Sequence, residues 1–188
     1  MPKRIFDIVF SLFALILFII PLVILFIFSS LDTNSNGIFI QERVGQFGKI
    51  FKMFKLKTIR SDASISLFGS FLRKFKIDEL PQFWNVFIGD MSIVGPRPDI
   101  SGYYDLLVGY ERNVLKLKPG ITSSASLKYV NEEAILQQQP NPLEYNDTVI
   151  FKDKVKMNLE YYHKNSLMID LTIIFKTIKK TVLINFLK

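Results

Sequence analysis

Cysteine is absent from the 188 residues, and histidine occurs once, at His163. The first absence excludes disulfides, Cys-zinc sites and a thiol nucleophile. The second leaves any serine–histidine triad resting on a single residue and excludes the usual His-rich metal centres. Transfer or hydrolytic chemistry must then run on carboxylates, Lys, Arg and hydroxyls. Low hydrophobicity, the mark of disorder, is missing too. Instead 49% of the residues are apolar, 18 of them Phe, and the mean hydropathy is +0.25. That balance points to a chain facing lipid over part of its length. No internal repeat is visible, and nothing marks a second soluble domain.

Between Asp7 and Asp32 lie 24 residues, Ile8 to Leu31, without a charge, and 19 of them are Leu, Ile, Val or Phe. Those side chains contribute on the order of −6 to −11 kcal/mol towards membrane insertion. The run is too long for a signal-peptide core and ends without a small-residue cleavage site. As a straight helix it reaches about 36 Å, enough to span a bilayer. Pro21 sits near its middle, where it removes a backbone hydrogen bond and kinks the helix. Lys3 and Arg4 precede the run; 22 of the 24 basic and 15 of the 17 acidic residues follow Asp32. Both flanks are therefore cytoplasmic by the positive-inside rule. A helix that enters, bends at Pro21 and returns to the same face satisfies both flanks; a single kinked pass is the alternative. Two further stretches have amphipathic spacing. Leu171, Ile174, Phe175, Ile178 and Val182 form an apolar row with Lys176, Lys179 and Lys180 on another face. Phe68, Phe71, Leu72 and Phe75 stand opposite Arg73, Lys74 and Lys76. Each suits an anionic membrane interface or a core with a solvated lysine face.

The remaining chain divides by its turn signals. Asn34 to Gly37 closes the apolar run. Alternation from Ile38 to Lys57, broken at Gly45 and Gly48, predicts a hairpin. Helical spacing resumes near Ser66, and Gly95 to Pro98 cannot be regular structure. Tyr103 to Leu117 reads as a helix stopped by Pro119-Gly120, residues 137–142 as a loop, and Thr148 onward as a final helical stretch.

The chemistry concentrates in Lys76-Ile77-Asp78-Glu79-Leu80-Pro81-Gln82-Phe83-Trp84-Asn85-Val86, then Gly89-Asp90-Met91-Ser92 and Gly95-Pro96-Arg97-Pro98. Pro81 suits the first turn of a helix, which puts Asp78 and Glu79 at its N-terminus. There the dipole favours ionised carboxylates and attracts phosphate, and a carboxylate held ionised can act as a nucleophile. Attack on an anionic diphosphate meets about 4 kcal/mol of repulsion per charge pair at ~4 Å. Uncompensated, that is close to a thousandfold in rate. Arg97, clamped between prolines, offers a planar fork, and Arg73 is available for a second phosphate. A divalent cation bridging carboxylate and phosphate would supply the rest, and Mg²⁺ is usual with oxygen-only ligands. Taken alone, an Asp-Glu pair at a helix start is a cap. Beside lysine-rich segments and a bilayer anchor it leans towards phosphoryl chemistry at a membrane surface.

The block from Asp78 to Val86, with Gly89-Asp90-Met91-Ser92-Ile93-Val94-Gly95-Pro96-Arg97-Pro98, resembles the signature of the bacterial sugar transferases, the monotopic phosphoglycosyl transferases. Lys3-Arg4-Ile5-Phe6-Asp7, Gln41-Glu42-Arg43-Val44-Gly45, Phe51 to Lys55, Lys118-Pro119-Gly120-Ile121-Thr122 and Ser166 to Ile174 with Asp170 match as well. The resemblance implies a helix-rich mixed α/β fold, monotopic in the membrane, with interfacial amphipathic helices around a small catalytic unit. It implies a re-entrant membrane helix over 1–32, broken at Pro21, and a cytoplasmic catalytic domain over 33–188 at the bacterial inner membrane. Asp78 would attack the β-phosphate of a UDP-sugar, releasing UMP, and polyprenyl phosphate would then take the phosphosugar. Glu79 would orient or deprotonate the acceptor and share an Mg²⁺ site with Asp78. Arg73, Arg97, Lys55 and Arg43 would bind phosphates or substrate. The sequence departs from the family pattern at Ile20, Lys57, Ser123-Ser124-Ala125-Ser126 and Asn158, and in a short 61–66 loop. These departures leave sugar choice open, and no motif sets an oligomeric state.

A non-enzymatic reading competes: a basic membrane-bound scaffold, net charge +7, binding anionic lipid or an acidic partner. Nucleic acid is disfavoured, since the charge allows it but no recognition motif is present. The re-entrant topology has a direct check, because no native Cys interferes. Cysteines placed at position 2 and near position 185 are expected to label from the same side of the membrane in cells. Labelling from opposite sides would refute the hairpin.

Overall fold

The computed structural model describes residues 2–186, with side chains described through Thr181. Helix α1 runs from Pro2 to Thr33 as one element with Pro21 inside it. Its residues invert the usual sorting. Asp7, Ser11, Ala14, Ser29 and Thr33 are buried, whereas Phe13, Ile16 and Ile20 remain 64%, 65% and 70% exposed. In lipid the small and polar residues are the ones that gain from close packing on protein, because hydrocarbon already solvates the rest. Among the described residues, α1 is the one helix long and apolar enough to cross a membrane.

Both ends of α1 are fastened to the rest of the chain by polar contacts. At the first end, Arg4 donates to the carbonyls of Val86 and Phe87 at 2.6 and 2.8 Å. Asp7 accepts from Ser92 Oγ and the Ile93 amide at 2.8 and 3.0 Å. Lys3 donates to the Val94 carbonyl and to Asp170. At the other end, Ser29 Oγ donates to the carbonyls of Gly37 and Lys57. Arg60 and Ser66 both donate to Asp32. Gly37 is required there, since a Cβ would lie 2.4 Å from the Phe26 carbonyl oxygen.

Strands β1 (Ile38–Val44) and β2 (Ile50–Leu56) form the expected antiparallel hairpin, with Ile38 opposite Leu56 and Val44 opposite Ile50. Helix α2 (Leu67–Lys74) begins where Ser66 Oγ accepts from the Gly69 amide, 2.9 Å. Lys76 then takes a left-handed conformation, φ 58°, and turns the chain into a single 3₁₀ turn, Ile77–Glu79. Helix α3 (Gln82–Ile88) follows, entered through Pro81. Strand β3 (Ser92–Val94) pairs in parallel with β4 (Gly120–Thr122). Gly95 packs against Lys118 and Gly120 so closely that a Cβ would stand 2.2 Å from the Lys118 carbonyl oxygen. That approach fixes where the Pro96-Arg97-Pro98 loop leaves β3.

Met53, Val86, Met91, Ile93, Val94 and Ile173 gather in one apolar cluster under α3, and Val44, Tyr104, Val114, Leu115, Val155 and Leu159 form a second. Asn85 joins α3 to the hairpin. Fully buried, it donates to the Lys52 carbonyl at 2.7 Å and accepts from the Phe54 amide at 3.1 Å.

The second half corrects several sequence expectations. Tyr103 to Leu117 is not a helix but two 3₁₀ segments, Tyr104–Leu106 and Glu111–Lys116. Gly109 between them has φ +56°, and Arg112 takes up the carbonyls of Asp105 and Leu107 that a helix would have used. Two short helices, α4 (Ser124–Lys128) and α5 (Glu132–Gln137), were not foreseen. The continuous final helix is divided as well. Helix α6 (Pro142–Tyr145) passes through a π turn, Asn146–Ile150, into α7 (Phe151–Lys164), and α8 (Leu167–Phe186) starts afresh. Asn165 breaks α7 from α8 by turning to an extended ψ of 133°. On α8 the expected apolar row is split: Leu171, Phe175 and Ile178 are 44%, 68% and 58% exposed, whereas Ile174 is half-buried against the first cluster, beside buried Ile173 and Asp170. The Val182 side chain of that row lies outside the described residues.

Asn85→Ala strands a buried strand amide and a carbonyl together. Unfolding of the variant in detergent is expected to cost about 2–4 kcal/mol less than for the parent chain. A change below about 1 kcal/mol would show that water replaces the amide.

Candidate active site

Glu79 follows directly from the left-handed turn at Lys76 and ends the 3₁₀ turn, so its side chain points back under the hairpin. It is 7% exposed, and both carboxylate oxygens are engaged. Arg97 donates to Oε1 at 2.6 Å and to Oε2 at 3.4 Å, and Lys55 Nζ donates to Oε1 at 3.2 Å. Burial alone would raise the Glu79 pKa. Arg97 and then Lys55 outweigh it and hold the group at about 2. Glu79 in turn pushes the Arg97 pKa up. Burial pulls Lys55 down, against the opposing pull of Glu79.

Asp78 lies beside this ion cluster in a different state. It is 8% exposed, and its Oδ1 is buried without a hydrogen-bond partner. Burial, reinforced by the Glu79 carboxylate, raises its pKa, while Lys55, Lys76 and Arg73 pull it back down. Neighbouring carboxylates thus separate: one is neutralised by direct ion pairs, the other keeps an oxygen unspent. A buried acceptor without a partner is costly and marks a place where a ligand, ion or water belongs.

Beside Arg97 and Lys55 opens a cleft of about 310 Å³. Arg43, Gln82 and Asp99 line it near those cations, and Glu132, Asn146 and Lys154 line it from the C-terminal helices. Tyr103, Tyr104 and Phe151 supply aromatic surface. Asp78 and Glu79 do not line the cleft; Glu79 reaches it through Arg97 and Lys55.

Of the residues singled out in the sequence, Asp78, Glu79, Lys55 and Arg97 meet in one cluster. Arg43 lines the cleft, where it donates to Gln41 and pairs with Asp99 at 3.7 Å. Its Nε is buried and unpartnered. Arg73 stands apart on α2, 3.8 Å from Glu133, though its charge is felt at Asp78. Pro21 is remote from all of these, inside α1. Sequence reasoning missed Asp99, Glu132, Asn146 and Lys154. Asp99 had a signal, since it extends Pro96-Arg97-Pro98 by one residue; the others lie in stretches without a motif.

The donor set bears on a divalent ion. Among the described residues no group of three or more His, Cys, Asp or Glu side chains could hold a metal. Asp78 offers one free oxygen, while Glu79 could reach an ion only by releasing Arg97 or Lys55. That set fits an ion bound by one carboxylate and completed by substrate phosphates, the common arrangement for Mg²⁺.

The Glu79 cluster has a pH signature. Its folded pKa near 2 lies below the ordinary 4.5. The unfolded chain takes up the proton first as pH falls, so the stabilisation is complete above about 4.5 and disappears towards 2. Thermal unfolding in detergent is expected to show a loss of about 2–4 kcal/mol across that window. Glu79→Gln is expected to lack this component; equal pH slopes for the two proteins would contradict it.

Comparison with known proteins adds to this geometry. The sequence profile of the bacterial sugar transferases matches residues 1–183. The chain is 35% identical to the UDP-glucose:undecaprenyl-phosphate glucose-1-phosphate transferase of Klebsiella pneumoniae, over 95% of this chain and 39% of that protein. It is 30% identical to the galactosyl transferase CpsE of Streptococcus agalactiae, over 96% of this chain and 42% of that protein. It is 39% identical to a putative undecaprenyl-phosphate N-acetylgalactosaminyl 1-phosphate transferase of Bacillus subtilis, over 52% of this chain and 62% of that protein. The chain spans about two fifths of the length of the first two relatives.

Proposed function

The chain belongs to the bacterial sugar transferase family, and from that premise we propose that it is an enzyme moving a sugar-1-phosphate from a UDP-sugar to undecaprenyl phosphate. The relatives named for this reaction support the substrate classes. The observation that carries the mechanism is the unpartnered Asp78 Oδ1 beside a Glu79 locked between Arg97 and Lys55.

In this reading Asp78 Oδ1 attacks the β-phosphorus of the donor. The bond from that phosphorus to the bridging oxygen breaks, UMP leaves with the electron pair, and the phosphosugar stays on Asp78 as an acyl phosphate. An oxygen of undecaprenyl phosphate then attacks the same phosphorus. Asp78 is released as a carboxylate, and the product is a diphosphate-linked lipid sugar. A carboxylate stripped of water and lacking a bond is a better nucleophile than a solvated one, and Lys55, Lys76 and Arg73 favour its ionised form against the burial that raises its pKa. Arg97 and Lys55 keep the Glu79 charge from adding to the repulsion between Asp78 and the donor. They also present cationic surface to the diphosphate at the mouth of the cleft. Arg43 extends that surface, and the Arg73 charge acts on Asp78 from α2. Bound Mg²⁺ would be held by Asp78 and the donor phosphates, and it would offset the charge of the diphosphate.

Helix α1 supports a membrane assignment. About 48 Å of helix is tied at both ends to one folded unit, through Arg4 and Asp7 at its start and Ser29 and Asp32 at its end. Its middle is apolar and exposed. A bilayer that takes the middle while both ends stay on the catalytic unit is entered and left from the same face. This supports a monotopic, re-entrant α1 over residues 1–32 and a catalytic unit over 33–188 on the cytoplasmic face, where UDP-sugars are found. Exposed Phe71 on α2, Trp84 on α3 and Phe175 on α8 would rest in the same interface.

Asp78→Asn is expected to remove transfer entirely while the protein still folds and partitions into membranes. With a donor labelled in the sugar and no acceptor, the parent chain is expected to release UMP once and retain the label at Asp78 by mass analysis. Full turnover by the Asn variant would refute the nucleophile.

A further inference from the structure

The cleft lining is of two chemical kinds. Arg97 and Lys55 make part of it cationic. Asp99, Glu132, Asn146 and Lys154 make up another part, and there each charge is already paired. Lys154 Nζ lies 2.7 Å from Glu132, and Arg43 lies 3.7 Å from Asp99. No free charge waits for an ionic group, yet carboxylate, amide and ammonium groups stand together on one wall. Such a set reads hydroxyls: carboxylates accept from them, and amides and ammoniums donate to them. The aromatic surface of Tyr103 and Phe151, whose rings meet edge to face at 5.1 Å, offers an apolar face for a saturated ring. Asn146 comes to this wall at the first residue of the π turn, and turns of that kind are frequent at functional sites. Four residues on, Ile150 returns to the core at 1% exposure.

We propose that this wall is the sugar subsite, in which Glu132, Asn146, Lys154 and Asp99 recognise a neutral, polyhydroxylated ring and set which donor is used. The assignment rests on the reaction proposed above. In-line displacement at phosphorus puts the departing UMP opposite Asp78. The groups flanking Asp78 and Glu79 therefore face the other substituents of that phosphorus, and one of these is the sugar ester. The cleft opens from Arg97 and Lys55, which flank Glu79, so the ring attached to the attacked phosphate enters it first. A neutral ring gains hydrogen bonds there without breaking either ion pair, whereas an acidic ring would have to displace one.

The full chain in detergent, given undecaprenyl phosphate and a panel of UDP-hexoses and UDP-N-acetylhexosamines, tests this through UMP release. Glu132→Gln keeps the shape of the wall and Asn146→Ala opens it; Lys154→Met removes the ion pair from the other side. At least two of the three are expected to change kcat/KM ratios between donors by about tenfold or more. Inhibition by UMP is expected to move by less than about twofold. An equal loss for every donor, with weaker UMP inhibition, would put the nucleoside there instead and overturn the assignment. So would ratios unchanged in all three variants. UMP release from no donor by the parent chain would overturn the reaction itself, a separate failure.

Discussion

Glu79 gives up nearly all of its water and keeps its charge, and it does so because Arg97 and Lys55 arrive from two separate elements to meet it. Lys55 stands on β2, Arg97 on the loop after β3, and Glu79 on the turn before α3. Burying the Glu79 carboxylate without these partners would be prohibitive. Together they pin three segments to one another, and the pinning leaves Asp78, one residue away, with nothing to bond to. The unsatisfied Asp78 oxygen follows from its neighbour's satisfaction. In the mechanism proposed above, the nucleophile is prepared by a stable ion cluster beside it and not by a histidine base.

The supports of this cluster extend to the long apolar helix α1. Arg4 caps the carbonyls at the end of α3, the helix preceded by Asp78 and Glu79, while Asp7 and Lys3 hold β3, the strand that leads to Arg97. Lys3 also meets Tyr161 and the buried Asp170, so α7 and α8 close on the same point. Helix α1 is thus part of the scaffold of the site. Its apolar face is left exposed, and its few polar residues carry the attachment. This explains the inverted burial of α1, in which Ser11 and Ser29 are hidden and Phe13 and Ile20 are not.

What the sequence made legible were features with local causes. The charge-free run at Ile8–Leu31, the hairpin around Gly45 and Gly48, the resumption of helix near Ser66 and the Asp78-Glu79 pair before α3 all announce themselves within a few residues. The misread segments had causes outside any local window. Tyr103–Leu117 carries helical spacing, but Gly109 and the Arg112 contacts divide it. Thr148 onward is periodic throughout, yet Asn165 and Ser166 turn α8 back so that Asp170 reaches Lys3, 167 residues away in the chain. No period in the sequence reports that meeting.

Composition and short-range pattern alone determined that this protein has a long charge-free apolar segment, that it holds no thiol and a single histidine, and that an adjacent acidic pair, Asp78 and Glu79, precedes a helix. Those properties belong to residue types and near neighbours, and hydrophobicity, charge and turn preference express them directly. Which carboxylate would be neutralised and which left free was decided only by the fold. So was the assembly of a cleft from Asp99, Glu132, Asn146 and Lys154. Desolvation and pairing depend on who arrives from elsewhere in the chain, and adjacent acids with the same intrinsic chemistry acquire different states through that arrival.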